Sequence, residues 1–258
     1  MHPMLNIAIR AARTAGDSIV REMDRTRDIS IETKGKNDFV TEVDKNAEGI
    51  IISVIKNAYP EHAFLAEESG QEGENDYLWI IDPLDGTTNF LHGLPHFAIS
   101  IALERDGKPF AGVVYSPVMD ELFWAENGQG AFLNNERLRT SGRRNLEECL
   151  IATGMPYKGR DNHPQYPQML DTVWSTTSGI RRFGAAALDL AYIAAGRYDG
   201  FFEFSLSPWD IAGGIIIVRE AGGNVTVING SGEMKKTGNI LASNGHIHRE
   251  LSEVLTKV

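Results

Sequence analysis

The chain has 258 residues, 42% of them hydrophobic and 23% charged, and a formal net charge of −10. That is enough chain for one large domain or two small ones of ordinary globular composition, and its acidity argues against a broad, nonspecific grip on nucleic acid or anionic membrane. A single cysteine, Cys149, excludes an internal disulfide framework and fits a reducing cytosol; Glu147 and Glu148 beside it would raise a thiol pKa, which argues against a nucleophile.

Near the N-terminus, Leu5, Ala8, Ala12, Ala15, Ile19 and Met23 follow helical spacing. Arg10, Arg13, Asp17, Arg21 and Glu22 interrupt any apolar run, so the segment reads as an amphipathic helix and not a secretory signal. No apolar run is long enough for a bilayer span, and the expected location is the cytoplasm. A strand is expected at 29–33, then a polar loop with Lys34 and Lys36, then a helix from about 41 to 58 that Tyr59-Pro60 stops. Residues 62–66 read as a short strand running into Glu67-Glu68-Ser69-Gly70. Residues 78–81 read as a buried strand that stops at Pro83, because proline cannot donate to a ladder. A short helix follows, ended by Gly93 and Pro95.

From Phe97 the texture changes. Strands at 98–104, 110–115, 121–125 and 130–133 are separated by Asp106-Gly107, Ser116-Pro117 and Asn127-Gly128, the pattern of an antiparallel meander. The remainder alternates: strands at 150–153, 179–182, 200–204, 224–228 and 240–243, with helices near 165–174, 185–195, 210–221 and at the C-terminus. The expected fold class is mixed α and β, in layered sheets and helices.

The chemistry concentrates in Trp79-Ile80-Ile81-Asp82-Pro83-Leu84-Asp85-Gly86-Thr87-Thr88-Asn89. Asp82 and Asp85 emerge together at a strand end, where a turn aims both at one point. Hard divalent cations take such oxygens, and Mg2+ adds substrate phosphate oxygens to one or two carboxylates. Gly86 lets the backbone approach a ligand, and Thr87 and Thr88 open a helix whose N–H groups face an anion. Asp-Pro and Asp-Gly are also ordinary turn dipeptides; the Gly-Thr-Thr continuation and carboxylates elsewhere favour a site. Metal ions would also reconcile an acidic protein with a phosphate substrate.

Glu67 follows a short strand, as Asp82 does, and can face the same crevice; taken alone it reads as a solvated acidic turn. Asp210 lies at a helix start after Pro208, where it can cap, ligate or do both. Asp44 follows Thr41 at capping-box spacing. His92 and His96 have zinc-like spacing, but Gly93 and Pro95 break the helix such a pair requires. His246 and His248 read as solvent facing. Arg137, Arg139, Arg181 and Arg182 are contact points for a partner or solvated surface charge. With no Ser/His/Asp elbow, a hydrolase here would use metal-activated water.

Asp82-Pro83-Leu84-Asp85-Gly86-Thr87-Thr88-Asn89-Phe90 resembles the first signature of the inositol monophosphatase family. Trp209-Asp210-Ile211-Ala212-Gly213, with Arg219-Glu220-Ala221-Gly222-Gly223, resembles the second. Glu67-Glu68-Ser69 and the segment from Asp38 to Asp44 fit in order, and Ala186-Ala187-Leu188-Asp189-Leu190-Ala191-Tyr192 looks like the bacterial SuhB type within the family. The resemblance covers nearly the whole chain as one catalytic domain, 1–258. It implies a layered α-β-α-β-α sandwich, usually a homodimer, that removes phosphate from inositol monophosphates with Mg2+ and is sensitive to Li+. Carried over by residue, Glu67, Asp82 and the Leu84 carbonyl hold a first metal; Asp82, Asp85 and Asp210 hold a second; a third, weaker ion leans on Glu67. Thr87, paired with Asp44, orients and helps deprotonate the attacking water. The N–H groups of Gly86 and Thr87 take the phosphate, and Asp85, Ala186 and Glu203 meet the inositol hydroxyls. The family's loop lysine is Lys34, with Lys36 the alternative. Phe183 stands where a small or polar residue is expected. Competing readings are a phosphatase of fructose bisphosphate or of 3'-phosphoadenosine nucleotides on the same fold, and a SuhB-type partner of transcription and RNA-processing complexes.

Overall fold

Helix α1 (Pro3–Met23) buries Leu5, Ala8, Ala11, Ala12, Ala15, Gly16 and Ile19, an apolar stripe at the period that its sequence carries. The computed structural model describes residues 1–23, 42–155, 163–228 and 233–257. The expected strand at 29–33, the loop lysines Lys34 and Lys36, Asp38 and Thr41 lie outside them. Helix α2 (Glu42–Ala58) packs on α1 through Val43, Ala47, Ile51 and Ile55 and also buries two acids, Asp44 and Glu48. The Glu48 carboxylate accepts the Glu68 N–H at 2.8 Å, which ties the helix to the turn after the next strand.

Eight strands form the first sheet: β1 (Ala63–Ala66), β2 (Gly70–Glu72), β3 (Tyr77–Asp85), β4 (Ala98–Arg105), β5 (Lys108–Ser116), β6 (Glu121–Glu126), β7 (Gly130–Leu133) and β8 (Glu136–Arg137). Their order is β2-β1-β3-β4-β5-β6-β7-β8. All neighbours are antiparallel except β1 and β3, which run parallel with Ala66 opposite Ile81. The Asp106-Gly107 turn has φ of 52° and 71°, the doubly positive pattern that matches strand twist in a tight hairpin.

The expectation that β3 ends before Pro83 is corrected. The strand continues to Asp85, and its register against β4 shifts between Asp82 and Asp85. A bulge there leaves residues out of the ladder, so the missing proline N–H costs no ladder bond.

The second sheet contains β9 (Leu150–Thr153), β10 (Gly179–Arg181), β11 (Gly200–Glu203), β12 (Asn224–Val227) and β13 (Ile240–Ser243), in the order β10-β9-β11-β13-β12. The helices about it are α3 (Thr87–Leu91), α4 (Tyr166–Thr176), α5 (Ala186–Ala194), α6 (Pro208–Glu220), α7 (Met234–Thr237) and α8 (His248–Thr256). One apolar cluster joins α1 and α2 to the first sheet; a second joins α5 and α6 to both sheets; a third joins α4 and α8 to the outer face of the second sheet. The layers are therefore α-β-α-β-α, as the resemblance implies.

Two sequence expectations change at the side-chain level. His248 is half-buried, with Nδ1 2.9 Å from Ser243 Oγ and Nε2 3.0 Å from Thr226 Oγ1; burial lowers its pKa. The Cys149 thiol is pushed up to about 12, by burial first and then by Asp199, so the acids adjacent in sequence are not the leading cause.

Candidate functional site

The parallel register of β1 on β3 sets the first pair of acids side by side. Ala66 lies opposite Ile81, and the Glu67 N–H donates to the Ile81 carbonyl at 3.2 Å, so Glu67 and Asp82 leave the same sheet edge together. Their side chains share a hydrogen bond. Asp82 is buried, and its Oδ1 accepts the Leu84 N–H at 3.0 Å across the bulge. Asp85 is half-buried, and its Oδ2 accepts the Ala187 N–H at 2.7 Å, which binds the end of β3 to the first turn of α5.

Asp210 is not the N-cap of α6. Ser207 is, and Asp210 stands at the third helical position, its Oδ2 accepting the Ser207 N–H at 2.7 Å in a capping box. That bond fixes the carboxylate at the helix entrance. Glu203 ends β11 and lies over Gly154, where a Cβ would stand 1.9 Å from the Glu203 carboxyl carbon. The site therefore draws Glu67, Asp82 and Asp85 from the first sheet, Glu203 from the second, and Asp210 and Ala187 from the helices between.

The electrostatics identify a crevice of crowded acid. Asp82 is raised well above the usual carboxylate range, by burial first and then by Glu67, Asp85 and Asp210. Asp85 is raised by burial and by Asp210, with the Ala187 N–H pulling the other way. Glu67, at the open mouth but walled by protein, is raised to about 7 by desolvation and then by Asp210. Strongly perturbed acids in a cleft mark a functional-site candidate.

Gly86 has φ of 93°, and a Cβ there would stand 3.0 Å from the His96 carbonyl oxygen, so the left-handed turn into α3 closes directly onto that segment. Thr87 Oγ1 donates to the Leu84 carbonyl at 2.9 Å; the expected Thr87–Asp44 pairing gives way to this local bond in the structure. A carbonyl oxygen has a second lone pair, so Leu84 can still serve another acceptor role. Asp44 is buried in the first turn of α2, and Ala186 opens α5. Lys34 lies outside the described residues.

Sequence reading missed three site neighbours. Gly154 is the floor under Glu203, a contact between residues 49 apart that no local pattern signals. Asn89 Nδ2 donates to the carbonyls of His96 and Phe183, at 2.7 and 2.8 Å, and clamps two loops together. Asp189 is buried on α5 with Oδ1 unpartnered, its pKa raised by burial and then by Glu203 and Asp85; a lone acid in the run from Ala185 to Ala195 is the signal that could have found it.

Among the described residues, no three His, Cys, Asp or Glu side chains stand as a finished metal cage. The bonds above show why: Asp82, Asp85 and Asp210 each give one oxygen to a backbone N–H, and Glu67 turns to Asp82. The donor set is nonetheless hard oxygen throughout, with N–H bonds that orient the three aspartates, and a divalent cation would replace the Glu67–Asp82 contact and relieve the mutual repulsion.

The profile of the inositol monophosphatase family matches residues 1–258. The chain belongs to the inositol monophosphatase family. It is 52% identical to the Nus factor SuhB of Pseudomonas aeruginosa over 250 residues, 95% of this chain and 92% of that one. It is 48% identical to an inositol-1-monophosphatase of Mesorhizobium japonicum, over 98% of this chain and 96% of the relative. The crystal structure of the extragenic suppressor protein suhB from Bartonella henselae superposes with a TM-score of 0.95 at 50% identity, covering 99% of each chain. The family match spans every segment that carries the acidic crevice. Among the described residues, no helix is long and apolar enough to cross a membrane.

Proposed function

We propose that this chain is a Mg2+-dependent, cytoplasmic phosphomonoesterase of the inositol 1-phosphate type, one catalytic domain over 1–258. The observation that carries the reading is the set Glu67, Asp82, Asp85 and Asp210 at one crevice, where burial and the neighbouring acids, Asp210 among them, raise the first three. In this family member, Glu67, Asp82 and the Leu84 carbonyl would hold one ion, Asp82, Asp85 and Asp210 a second, and Glu67 would support a weaker third. Bound there, the ions would supply an activated water and neutralise charge on the phosphate.

The chain's own groups do the rest. Thr87 Oγ1, released from Leu84, orients the attacking water, and Asp44 takes its proton through that hydroxyl. The N–H groups of Gly86 and Thr87 bind phosphate oxygens, preorganised by the turn. Asp85, the Ala186 end of α5 and Glu203 meet the polyol hydroxyls, and Lys34 would neutralise phosphate charge. Glu203 repels a second phosphate, which favours a monophosphate over fructose bisphosphate or 3'-phosphoadenosine nucleotides.

Phosphate release from inositol 1-phosphate tests the reading. Turnover with Mg2+, loss in excess chelator and inhibition by Li+ are expected; full turnover in chelator sinks the metal chemistry, and preference for the other two substrates in a panel sinks the substrate assignment. The relatives named Nus factor SuhB, 52% and 50% identical, favour a second role as a partner of transcription machinery. Rescue of a deletion strain by Asp85→Asn would separate the two roles. A homodimer is expected, to be read by sedimentation.

A further inference from the structure

Helix α2 buries Val43, Asp44, Ala47, Glu48, Ile51 and Ile55. Positions 44, 48, 51 and 55 follow one another at helical spacing and form one stripe. Its second half is apolar, as a core-facing stripe should be. Its first half carries two acids one turn apart, Asp44 at 4% and Glu48 at 3% exposure. The helix N-terminus favours a negative charge in the first turn, where Asp44 stands. Glu48 lies a turn beyond it, and a buried carboxylate there costs desolvation that a leucine would not.

What Glu48 does with that place is specific. Its Oε2 accepts the Glu68 N–H at 2.8 Å. The preceding N–H, that of Glu67, donates to the Ile81 carbonyl at 3.2 Å. Two successive N–H groups thus anchor the turn after β1 in two directions. One is tied to the strand that carries Asp82, the other to the helix that carries Asp44. The second tie is made against repulsion, because Glu48 stands among the acids that raise Glu67, behind burial, Asp210 and Glu68. An acid kept in a core stripe, and near a like charge, acts through the one bond it makes.

We propose that Glu48 is a positioning residue: through the Glu68 N–H it fixes the Glu67 carboxylate relative to Asp44, so that the ligand of the first ion and the group that takes the water's proton keep one geometry. This role rests on the metal chemistry proposed above, while the anchor is a contact of the chain itself.

Glu48→Gln keeps an oxygen for the Glu68 N–H and removes the charge. Glu48→Leu fills the stripe and removes the acceptor. Mn2+ binding by electron paramagnetic resonance reads the site without turnover, melting in chelator reads the fold, and kcat and KM are taken with inositol 1-phosphate at saturating Mg2+. Glu48→Leu should weaken Mn2+ binding by about tenfold, the size of one charge-assisted hydrogen bond. It should lower kcat by a similar factor with KM little changed, while melting in chelator stays level or rises. Glu48→Gln should stay within about threefold of wild type in both. Equal losses in the two variants mean that Glu48 acts by charge alone and overturn the anchor. Wild-type Mn2+ affinity and kcat in Glu48→Leu, whatever its melting temperature, reduce Glu48 to a helix contact and overturn it too. A wild type that binds no Mn2+ overturns the metal reading and the role of Glu48 with it. Mn2+ binding that follows this series without phosphate release would keep the anchor and overturn the phosphatase.

Discussion

Asp82 and Asp199 are both fully buried aspartates, and their surroundings treat them in opposite ways. Asp199 accepts hydrogen bonds from Ser141 Oγ, from Arg143 at 3.2 Å and from the Leu150 N–H at 2.8 Å. Asp82 accepts one from Leu84 and shares one with Glu67, while Asp85 and Asp210 press on it. A buried charge ringed by donors holds a fold together; one ringed by other anions is held in place by the fold for chemistry.

The largest test of that contrast exchanges the two outcomes. Asp210→Asn keeps an oxygen for the Ser207 N–H, so the capping box survives, while one cation ligand weakens. Several kcal/mol of charge stabilisation at stake corresponds to a fall in turnover of roughly 10³–10⁵. Melting in chelator should stay level or rise, because a repelling charge is gone. Asp199→Ala should do the reverse, costing about 3 kcal/mol of stability with turnover kept below the melt. Calorimetry beside phosphate release decides; a large drop in melting temperature for Asp210→Asn, or lost turnover in folded Asp199→Ala, breaks the contrast.

Next in size is Thr87→Ala. On the proposed mechanism its hydroxyl assists proton transfer, so the rate should fall by about 10²–10⁴, while Mg2+ affinity by titration should hold. Lost affinity would move Thr87 into the cation's own shell.

Glu203 and its floor sharpen the acidic side further. On the proposed reading Glu203→Ala would remove charge-assisted bonds to hydroxyls, and kcat/KM for inositol 1-phosphate should fall by about ten- to a hundredfold, with much less change for phenyl phosphate. Gly154→Ala should reproduce this loss, since its Cβ would lie 1.9–2.2 Å from the Glu203 carboxyl atoms. Equal losses on both esters would point instead to disturbed cation binding.

The smallest effect concerns pH. Trp79 Nε1 donates to His62 Nδ1 at 3.0 Å, between the stacked rings of Tyr59 and Tyr77. Burial lowers the His62 pKa, so its stabilisation is present above the unfolded value of about 6.5 and is lost as pH falls through the lower folded value. The acid crevice has the opposite sign: raised folded values mean stability present at low pH and lost as pH rises, up to about 7 for Glu67. In chelator the two slopes oppose, so His62→Gln leaves the crevice uncompensated, and on going from pH 7 to 5 its melting temperature should rise by roughly 2–4 °C relative to the wild-type change. Identical slopes in both proteins would remove His62 from the balance.

Much of this was legible in the sequence. The 130–133 and 150–153 strands appear with the expected bounds, as do the apolar faces of α1 and α2. The Asp82–Asp85 turn was visible because a strand end, a proline and a glycine mark it locally. The bulge that carries β3 past Pro83 was not, because register is a property of two strands. Strands β2 and β8 are short and mostly exposed, so they carry no alternating pattern. Gly154 and Asn89 matter through partners far along the chain.

The crevice takes acids from the turn after β1 and from β3, β11 and α6, so neither sheet holds it alone. Pairings so distant in sequence close late, since loop-closure entropy is spent before contact is made. In a refolding experiment, helical signal from α1 and α2 should therefore return before phosphate release does. Turnover would then act as a clock for the last step of assembly, the docking of the two sheets across α5 and α6.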